Sequence, residues 1–189
     1  MTSQVDIARM ALSLLGDDID ITSLNDPTKQ AVRVKLVWDH CLETLLTAYP
    51  WRFALKRYSL AKSTEKLAFG DGNIFVYPSD CLRIWKVEGN YDYTVEGDRI
   101  ISSADTFNFI GIFKNTNTTK FSSDFVHCLI YLLASEICLS INGDISLKNN
   151  LYEQYLQLLD NAQTTNSYES TAERYSVHGY LDSRKIGAW

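Results

Sequence analysis

The sequence has no excess of basic residues. Its 18 lysines and arginines are outnumbered by 23 aspartates and glutamates, which gives a formal net charge of −5. Proteins whose main work is to grip nucleic acid neutralise phosphates with clustered Lys and Arg. The composition therefore argues against a protein of that class.

A secretory signal and a membrane span are also missing from the sequence pattern. The first ten residues, MTSQVDIARM, lack a basic segment followed by an apolar one. The most apolar run, Phe125–Leu139, is broken by His127, Ser135 and Glu136 and is shorter than the roughly 20 residues that a span needs. We expect a protein made in the cytoplasm, without membrane contact.

Paired cysteine motifs are absent. None of the four cysteines forms a CxxC pair, and without a secretory signal they are expected to be reduced thiols of the core. His40-Cys41 and His127-Cys128 resemble two halves of a zinc site, but adjacent residues on a helix point about 100° apart. We therefore expect core thiols beside partly exposed histidines, with no metal or cofactor.

Recognisable catalytic motifs are missing as well. The three histidines are too dispersed for a nucleophilic triad, and Gly70-Asp71-Gly72 lacks the spacing of a phosphate loop. Glu88 and Glu96 are the best candidates for the carboxylate pair of a glycosidase. Both lie beside glycine in predicted turns, where glutamate is usually only solvated.

The amino-acid composition is typical of a folded domain that forms interfaces with other proteins. Hydrophobic residues make up 46% of the 189 residues, which is enough for a core. The 11 tyrosines combine an apolar ring with a polar tip, a combination that suits subunit interfaces. We expect one domain over residues 1–168.

Four helices are predicted by helical spacing of apolar residues. Ser3 caps the first, over residues 4–15, and Gly16 stops it. Asp26 and Pro27 begin the second, which Pro50 ends. The third, over residues 123–141, is apolar on nearly every side and should be the buried central helix, and the fourth, over 146–168, should pack against it as an antiparallel hairpin.

Short apolar runs bounded by turn residues predict β structure between the second and third helices. Three glycine-containing turns, Gly70–Asn73, Glu88–Asn90 and Glu96–Asp98, have the chemistry of hairpins. We expect one antiparallel sheet of five or six strands. The predicted fold is α+β: a four-helix bundle-like core (residues 1–51 and 122–168) with an inserted antiparallel β region (52–121), and an extended C-terminal arm (169–189).

Two groups of residues are candidates for partner contacts. Apolar residues of the C-terminal arm are too sparse to fold alone and are expected to bind a partner: Tyr175, Tyr180, Ile186 and Trp189. Cations cluster after the second helix and meet only Glu65: Arg52, Lys56, Arg57, Lys62 and Lys66. This cluster is either a contact for an acidic partner or passing DNA, or the solvated face of a hairpin.

Four segments together resemble a known family. They end or begin predicted helices and strands, in this order: Leu14-Leu15-Gly16, Ile21-Thr22-Ser23-Leu24, Tyr49-Pro50-Trp51-Arg52-Phe53-Ala54 and Tyr77-Pro78-Ser79-Asp80-Cys81-Leu82-Arg83. Over roughly residues 5–165 the chain resembles the tail tubular protein A family of short-tailed bacteriophages. These proteins are structural head-to-tail adaptors.

The resemblance implies a dodecameric ring between the portal protein and the tail nozzle protein, in a virion assembled in the host cytoplasm. Double-stranded DNA would pass through the ring without specific binding, which suits the acidic net charge. The C-terminal arm would bind portal, as an extension is thought to do in these adaptors. Two alternatives remain: a peptidoglycan hydrolase of the tail, an activity proposed for some adaptors, and a head-completion connector of a long-tailed phage, against which the six strand-like runs count.

Overall fold

The computed structural model describes residues 2–16, 21–89 and 91–168. This part of the chain is mixed α/β, and the predicted class is confirmed at that level. The helices are α1 Gln4–Ser13, α2 Lys29–Ala48, α3 Ser123–Ile141 and α4 Ile145–Tyr168. The strands are β1 Leu55–Ala61, β2 Asn73–Val76, β3 Cys81–Glu88, β4 Tyr93–Glu96, β5 Arg99–Ser102 and β6 Thr106–Phe113.

The first helix begins as predicted. The Ser3 hydroxyl accepts a hydrogen bond from the Asp6 amide, and the Asp6 carboxylate accepts one from the Ser3 amide, which completes a capping box. The helix ends at Ser13, two residues before the predicted end, and the chain turns at Gly16 with φ of 72°. Glycine tolerates this left-handed conformation, as expected.

The predicted start of α2 is wrong. Thr28, not Asp26, caps the helix, and its side chain accepts from the Ala31 amide at 3.2 Å. The Asp26 carboxylate instead accepts from the amides of Thr22 and Ser23 at 2.7 and 2.9 Å. Asp26 therefore closes the turn before the helix, and Thr28 caps the first free amides of α2.

The six strands form two three-stranded antiparallel sheets, so the prediction of one sheet is wrong. Sheet A has the order β1-β6-β3, and sheet B has the order β2-β5-β4. The two sheets pack through one cluster that contains Phe75, Ile100 and Phe107. A single flat sheet would leave these large rings in water.

The glycine turns have different roles from those predicted. Glu96–Asp98 joins the paired strands β4 and β5, with Gly97 at φ of 61°, and is a hairpin turn as expected. Gly70–Asn73 precedes β2, and Glu88–Asn90 follows β3 on the way to β4, so each lies on a connection between sheets. Those two hairpin predictions are wrong, because turn chemistry does not specify which strand becomes the partner.

Helix α3 lies at the centre of the helical part, as predicted. It contacts α1, α2 and α4, and most of its side chains are buried, including Phe125, Leu129 and Leu133. The α3–α4 packing confirms the predicted pair, since Leu151, Tyr155 and Ala162 of α4 join the same core. From sheet A, Ile112 also belongs to this core, so the sheets are attached to the helices by direct packing.

Trp51 is the joint between helices and sheets. Its side chain is 1% exposed, and the indole Nε1 donates a hydrogen bond to the Leu45 carbonyl at 2.8 Å. The ring meets Phe125 of α3 edge-on, with 5.0 Å between centroids, and Tyr49 in the same way at 5.3 Å. One side chain therefore fixes the end of α2, the start of β1 and the beginning of α3.

We expect Trp51→Ala to lower the free energy of unfolding by about 3–5 kcal/mol, because it removes a buried ring and its hydrogen bond. Urea denaturation followed by circular dichroism measures this. Trp85→Ala is the matched control, since Trp85 is 47% exposed and should cost about 1 kcal/mol or less. Equal losses for the two variants would contradict the role of Trp51 as a joint.

Candidate interaction surfaces

The predicted basic cluster is divided by the fold. Lys56 and Arg57 are neighbours on β1 and therefore point to opposite faces of sheet A. Lys56 lies 3.3 Å from the Asp80 carboxylate, and its ammonium sits 4.8 Å from the centre of the Phe113 ring. Lys62 pairs with Asp105. Only Arg57 of this cluster lies on the outer face of sheet A, the face turned away from sheet B.

A groove runs across this outer face. We call it the sheet A groove; it has a volume of about 470 Å³ and is lined by Leu55, Arg57, Trp85, Lys86, Val87, Glu88, Gly89 and Ile110. The strand register places Arg57, Ile110 and Lys86 in one row across the three strands. Two cationic side chains therefore flank an apolar one on the floor of the groove.

Trp85 owes its position to an irregularity in β3. The pairing of β3 with β6 shifts register twice, between Cys81 and Arg83 and again between Ile84 and Lys86. Trp85 is the extra residue at the second shift, and a bulge of this kind aims a side chain out of the sheet. The Arg83 guanidinium lies 6.0 Å from the centre of the Trp85 ring, so a third cation adjoins the groove.

Sequence reasoning did not single out Arg83, Trp85 and Lys86. The signal that was available is the sequence Arg83-Ile84-Trp85-Lys86, in which two adjacent apolar residues break the alternation of polar and apolar side chains typical of a strand. The bulge decides which of them face out, and the sequence pattern does not reveal it.

A second surface is the loop between β1 and β2, residues 62–72. It carries Lys66 and, near its tip, Phe69, whose side chain is 89% exposed. The loop is held against sheet B by the Arg99–Glu65 ion pair at 3.0 Å and by the hydrogen bond from the Ser63 amide to the Ile74 carbonyl at 2.7 Å. The exposed phenyl ring of Phe69 is therefore a candidate contact for another protein.

The outer sides of two helices form further apolar surfaces. On α2, Val32 and Leu36 are one turn apart and exposed, Leu36 by 82%. On α4, Ile145, Tyr152 and Leu156 are each more than 40% exposed. Scattered exposed apolar residues are normal, but rows at helical spacing favour contact with another protein.

The cysteines are core thiols, as predicted. Cys41, Cys81, Cys128 and Cys138 are all buried, and none of them forms a disulfide. Burial raises the pKa of Cys41 to about 12 and that of Cys128 to about 11, with smaller contributions from the nearby Glu136 and Asp124 carboxylates. Both thiols therefore stay protonated at neutral pH, a state in which thiols neither bind metals nor attack substrates.

The neighbouring histidines lie apart. His40 lines a cleft of about 220 Å³ between α2, α3 and α4, whereas His127 borders a different cleft beside Met10 of α1. In the part of the chain that the structure describes, no three His, Cys, Asp or Glu residues gather in an arrangement that could hold a metal ion.

Glu88 and Glu96 do not meet. Glu88 ends β3 in sheet A and borders the sheet A groove. Glu96 ends β4 in sheet B and borders a cleft beneath the loop of residues 62–72. The two carboxylates thus lie in separate clefts, whereas a glycosidase pair must face one substrate.

One helix of the described residues, α3, is long and apolar enough to cross a membrane by length and composition alone. Of its most apolar 18-residue window, 61% is buried inside the protein. The core helix of a soluble protein meets the same two criteria.

Comparison with known proteins gives no family. No model of a known protein family matches the chain, and no curated protein matches it. The proposed family therefore remains a prediction from the quoted segments. Tyr175, Tyr180, Ile186 and Trp189 lie outside the described residues.

The buried thiols predict a loss of stability at alkaline pH. The unfolded thiol titrates near its ordinary pKa of 9.0, while Cys41 and Cys128 in the folded protein hold their protons to about 12 and about 11. The contribution of these two thiols to the free energy of unfolding is complete below pH 9. It is lost as the pH rises toward their pKa values in the folded protein, by at most about 1.4 kcal/mol per pH unit for each thiol.

Chemical denaturation at several pH values from 8 to about 10.5 measures this slope. In Cys41→Ala/Cys128→Ala the free energy of unfolding should fall less steeply with pH than in the wild type. Identical slopes would show that these thiols are not the groups that titrate.

Proposed function

We propose that this protein is the head-to-tail adaptor of a short-tailed bacteriophage, forming a ring between portal and tail nozzle. The observation that carries the proposal is the number of separate exposed surfaces on one small folded unit: the sheet A groove, the Phe69 loop and the outer sides of α2 and α4. A ring built head to tail needs two different surfaces on each subunit. Attachment to the portal protein on one side of the ring and to the tail nozzle protein on the other needs further exposed surfaces.

In the same proposal the helices form a four-helix bundle-like core over residues 1–51 and 122–168, and the β region is an insertion over residues 52–121. The role is structural, without cofactor or reaction. The net charge of −5 supports a lumen through which double-stranded DNA passes without tight binding, because phosphates are held by cationic surfaces.

Residues 169–189 supply the portal contact in this proposal. Tyr175, Tyr180, Ile186 and Trp189 are apolar anchors spaced along an otherwise polar segment. Binding of this kind depends on a few aromatic side chains, whose burial offsets the entropy lost on ordering.

We expect the purified protein to be mainly monomeric at low micromolar concentration and to form a ring when the portal protein of the same phage is added. The reason is that the core folds by itself, whereas the portal ring brings copies close together and raises their effective concentration. Size-exclusion chromatography with light scattering measures the mass. A stable closed ring without portal would contradict the idea that portal brings the subunits together. No binding to portal would contradict the adaptor role.

Removal of residues 169–189 should abolish portal binding while leaving the thermal midpoint nearly unchanged, since the core described above ends before them. The matched control replaces Tyr175, Tyr180, Ile186 and Trp189 by serine in the full-length chain. It should bind as weakly as the truncated protein if the anchors carry the affinity. Unchanged affinity of the truncated protein would remove the arm from the mechanism.

A further inference from the structure

We infer that Asn142 is a site of spontaneous deamidation, that the docking of α1 restrains the reaction, and that the product weakens this docking. Asn142-Gly143 is the one Asn-Gly pair in the sequence. It lies in the corner between α3 and α4, and both residues are exposed. The inference concerns this corner alone and does not depend on the adaptor role.

Deamidation at such a pair is an intramolecular reaction. The backbone nitrogen of Gly143 attacks the side-chain carbonyl carbon of Asn142, and a C–N bond forms between them. The nitrogen loses its proton and Nδ2 leaves as ammonia, so that a five-membered succinimide ring remains. Water then opens either ring carbonyl and leaves aspartate or isoaspartate. Asparagine is a thermolabile residue, and the following glycine has no side chain to shield its nitrogen.

The folded corner keeps the two reacting groups apart. Asn142 has φ of −106° and ψ of −20°, and its amide donates to the Cys138 carbonyl at 2.8 Å. The succinimide ring needs Cβ and the next nitrogen nearly eclipsed about the Cα–C bond, which this ψ does not allow. The side chain is also held in place, since Nδ2 donates to the Leu15 carbonyl at 2.8 Å. The reaction therefore requires the corner to open.

The hydrogen bond to Leu15 attaches the corner to the end of α1. Leu15 follows the C-cap residue Leu14, and the last carbonyls of a helix have no partner within the helix. The side chain of Leu15 is 6% exposed and belongs to the helical core, through which α1 packs against α3. Release of this end of α1 frees the Asn142 side chain, and local openings of this kind occur without global unfolding.

The product of the reaction does not fit the same place. A carboxylate has no N–H to donate, so the Leu15 carbonyl would face a second acceptor. The new negative charge would lie at the C-terminal ends of α1 and α3, where the helix dipole disfavours it. Neither helix has a basic residue in its last turn. Helix α4 gains little at its N-terminus, because the Asp144 carboxylate already accepts from the Leu147 amide at 3.0 Å.

The first test follows deamidation by mass spectrometry of the Asn142 peptide, after the full-length protein is incubated at mildly alkaline pH with and without urea. We expect the folded wild type to react at least about tenfold more slowly than the unfolded protein, because the corner must open first. Leu15→Ala removes a core side chain at the end of α1 and should speed the reaction of the folded protein by about tenfold.

Leu46→Ala is the matched control. Leu46 lies on α2 and is 0% exposed, so its loss also removes core packing but leaves the contact between α1 and the corner, and the rate should stay near that of the wild type. Circular dichroism checks that the variants fold. Ser3→Ala removes only the cap of α1 and should speed the reaction by a smaller factor, which keeps the test decisive if Leu15→Ala does not fold.

The second test measures the effect of the product. Asn142→Asp introduces the charge, whereas Asn142→Ala removes the hydrogen bond alone. The thermal midpoint of Asn142→Asp should lie about 2–4 °C below that of Asn142→Ala, and hydrogen exchange of the α1 amides should be faster. Asn149→Asp makes the same amide-to-acid change at an exposed position of α4 and should unfold like the wild type.

Equal rates in folded and unfolded protein, or in Leu15→Ala and Leu46→Ala, would overturn the restraint by α1. A peptide that keeps its mass even in urea would remove the modification site. Equal midpoints for Asn142→Asp and Asn142→Ala would overturn the effect of the product. None of these measurements involves portal, so the adaptor proposal is decided separately.

Discussion

Strand β6 carries large apolar side chains on both faces, and the rest of the β region is arranged to cover them. Phe107, Phe109 and Phe113 point to one side, and Ile110 and Ile112 to the other. Sheet B covers the first side, and the helical core covers Ile112. Ile110 is covered by neither sheet B nor the helical core, and the sheet A groove lies at that place.

Gly111 shows how closely this strand is packed. A Cβ atom added there would lie 2.9 Å from the Cys81 sulfur and 2.9 Å from the Phe109 ring, distances that a well-packed core cannot absorb without moving its neighbours. The same Cβ atom would lie 3.0 Å from the Phe113 ring, on which Tyr58 stacks with 4.9 Å between ring centres. The packing of side chains on the inner face of sheet A therefore depends on their shape as well as on their hydrophobicity.

Much of the helical part could be predicted from the sequence because its signals are local. Ser3, Gly16 and Pro50 act within one turn of the chain, and the apolar character of α3 needs no knowledge of its neighbours. The start of α2 could not be predicted, since Asp26 and Thr28 are both good caps and only the amides of Thr22 and Ser23, which Asp26 binds, decide between them. The number of sheets could not be predicted for a similar reason, because long-range packing determines which strands pair.

The candidate surfaces were predictable only in part. Sequence proximity grouped Lys56 with Arg57, although adjacent strand residues face opposite ways and the fold gives them different surroundings. The bulge that turns Trp85 outward depends on register between β3 and β6, residues more than twenty positions apart in the chain. A net charge of −5 likewise does not reveal that the strand register places the cations Arg57 and Lys86 on either side of Ile110.

Burial of all four thiols has a practical and a chemical consequence. A cysteine introduced at an exposed position would be the one reactive sulfur of the native protein, so fluorophores or spin labels can be attached there without removing native residues. Distances between labels on two copies would then report how subunits are oriented in an assembly. The same burial means that an oxidising environment has no accessible native thiol from which to form cross-links between copies.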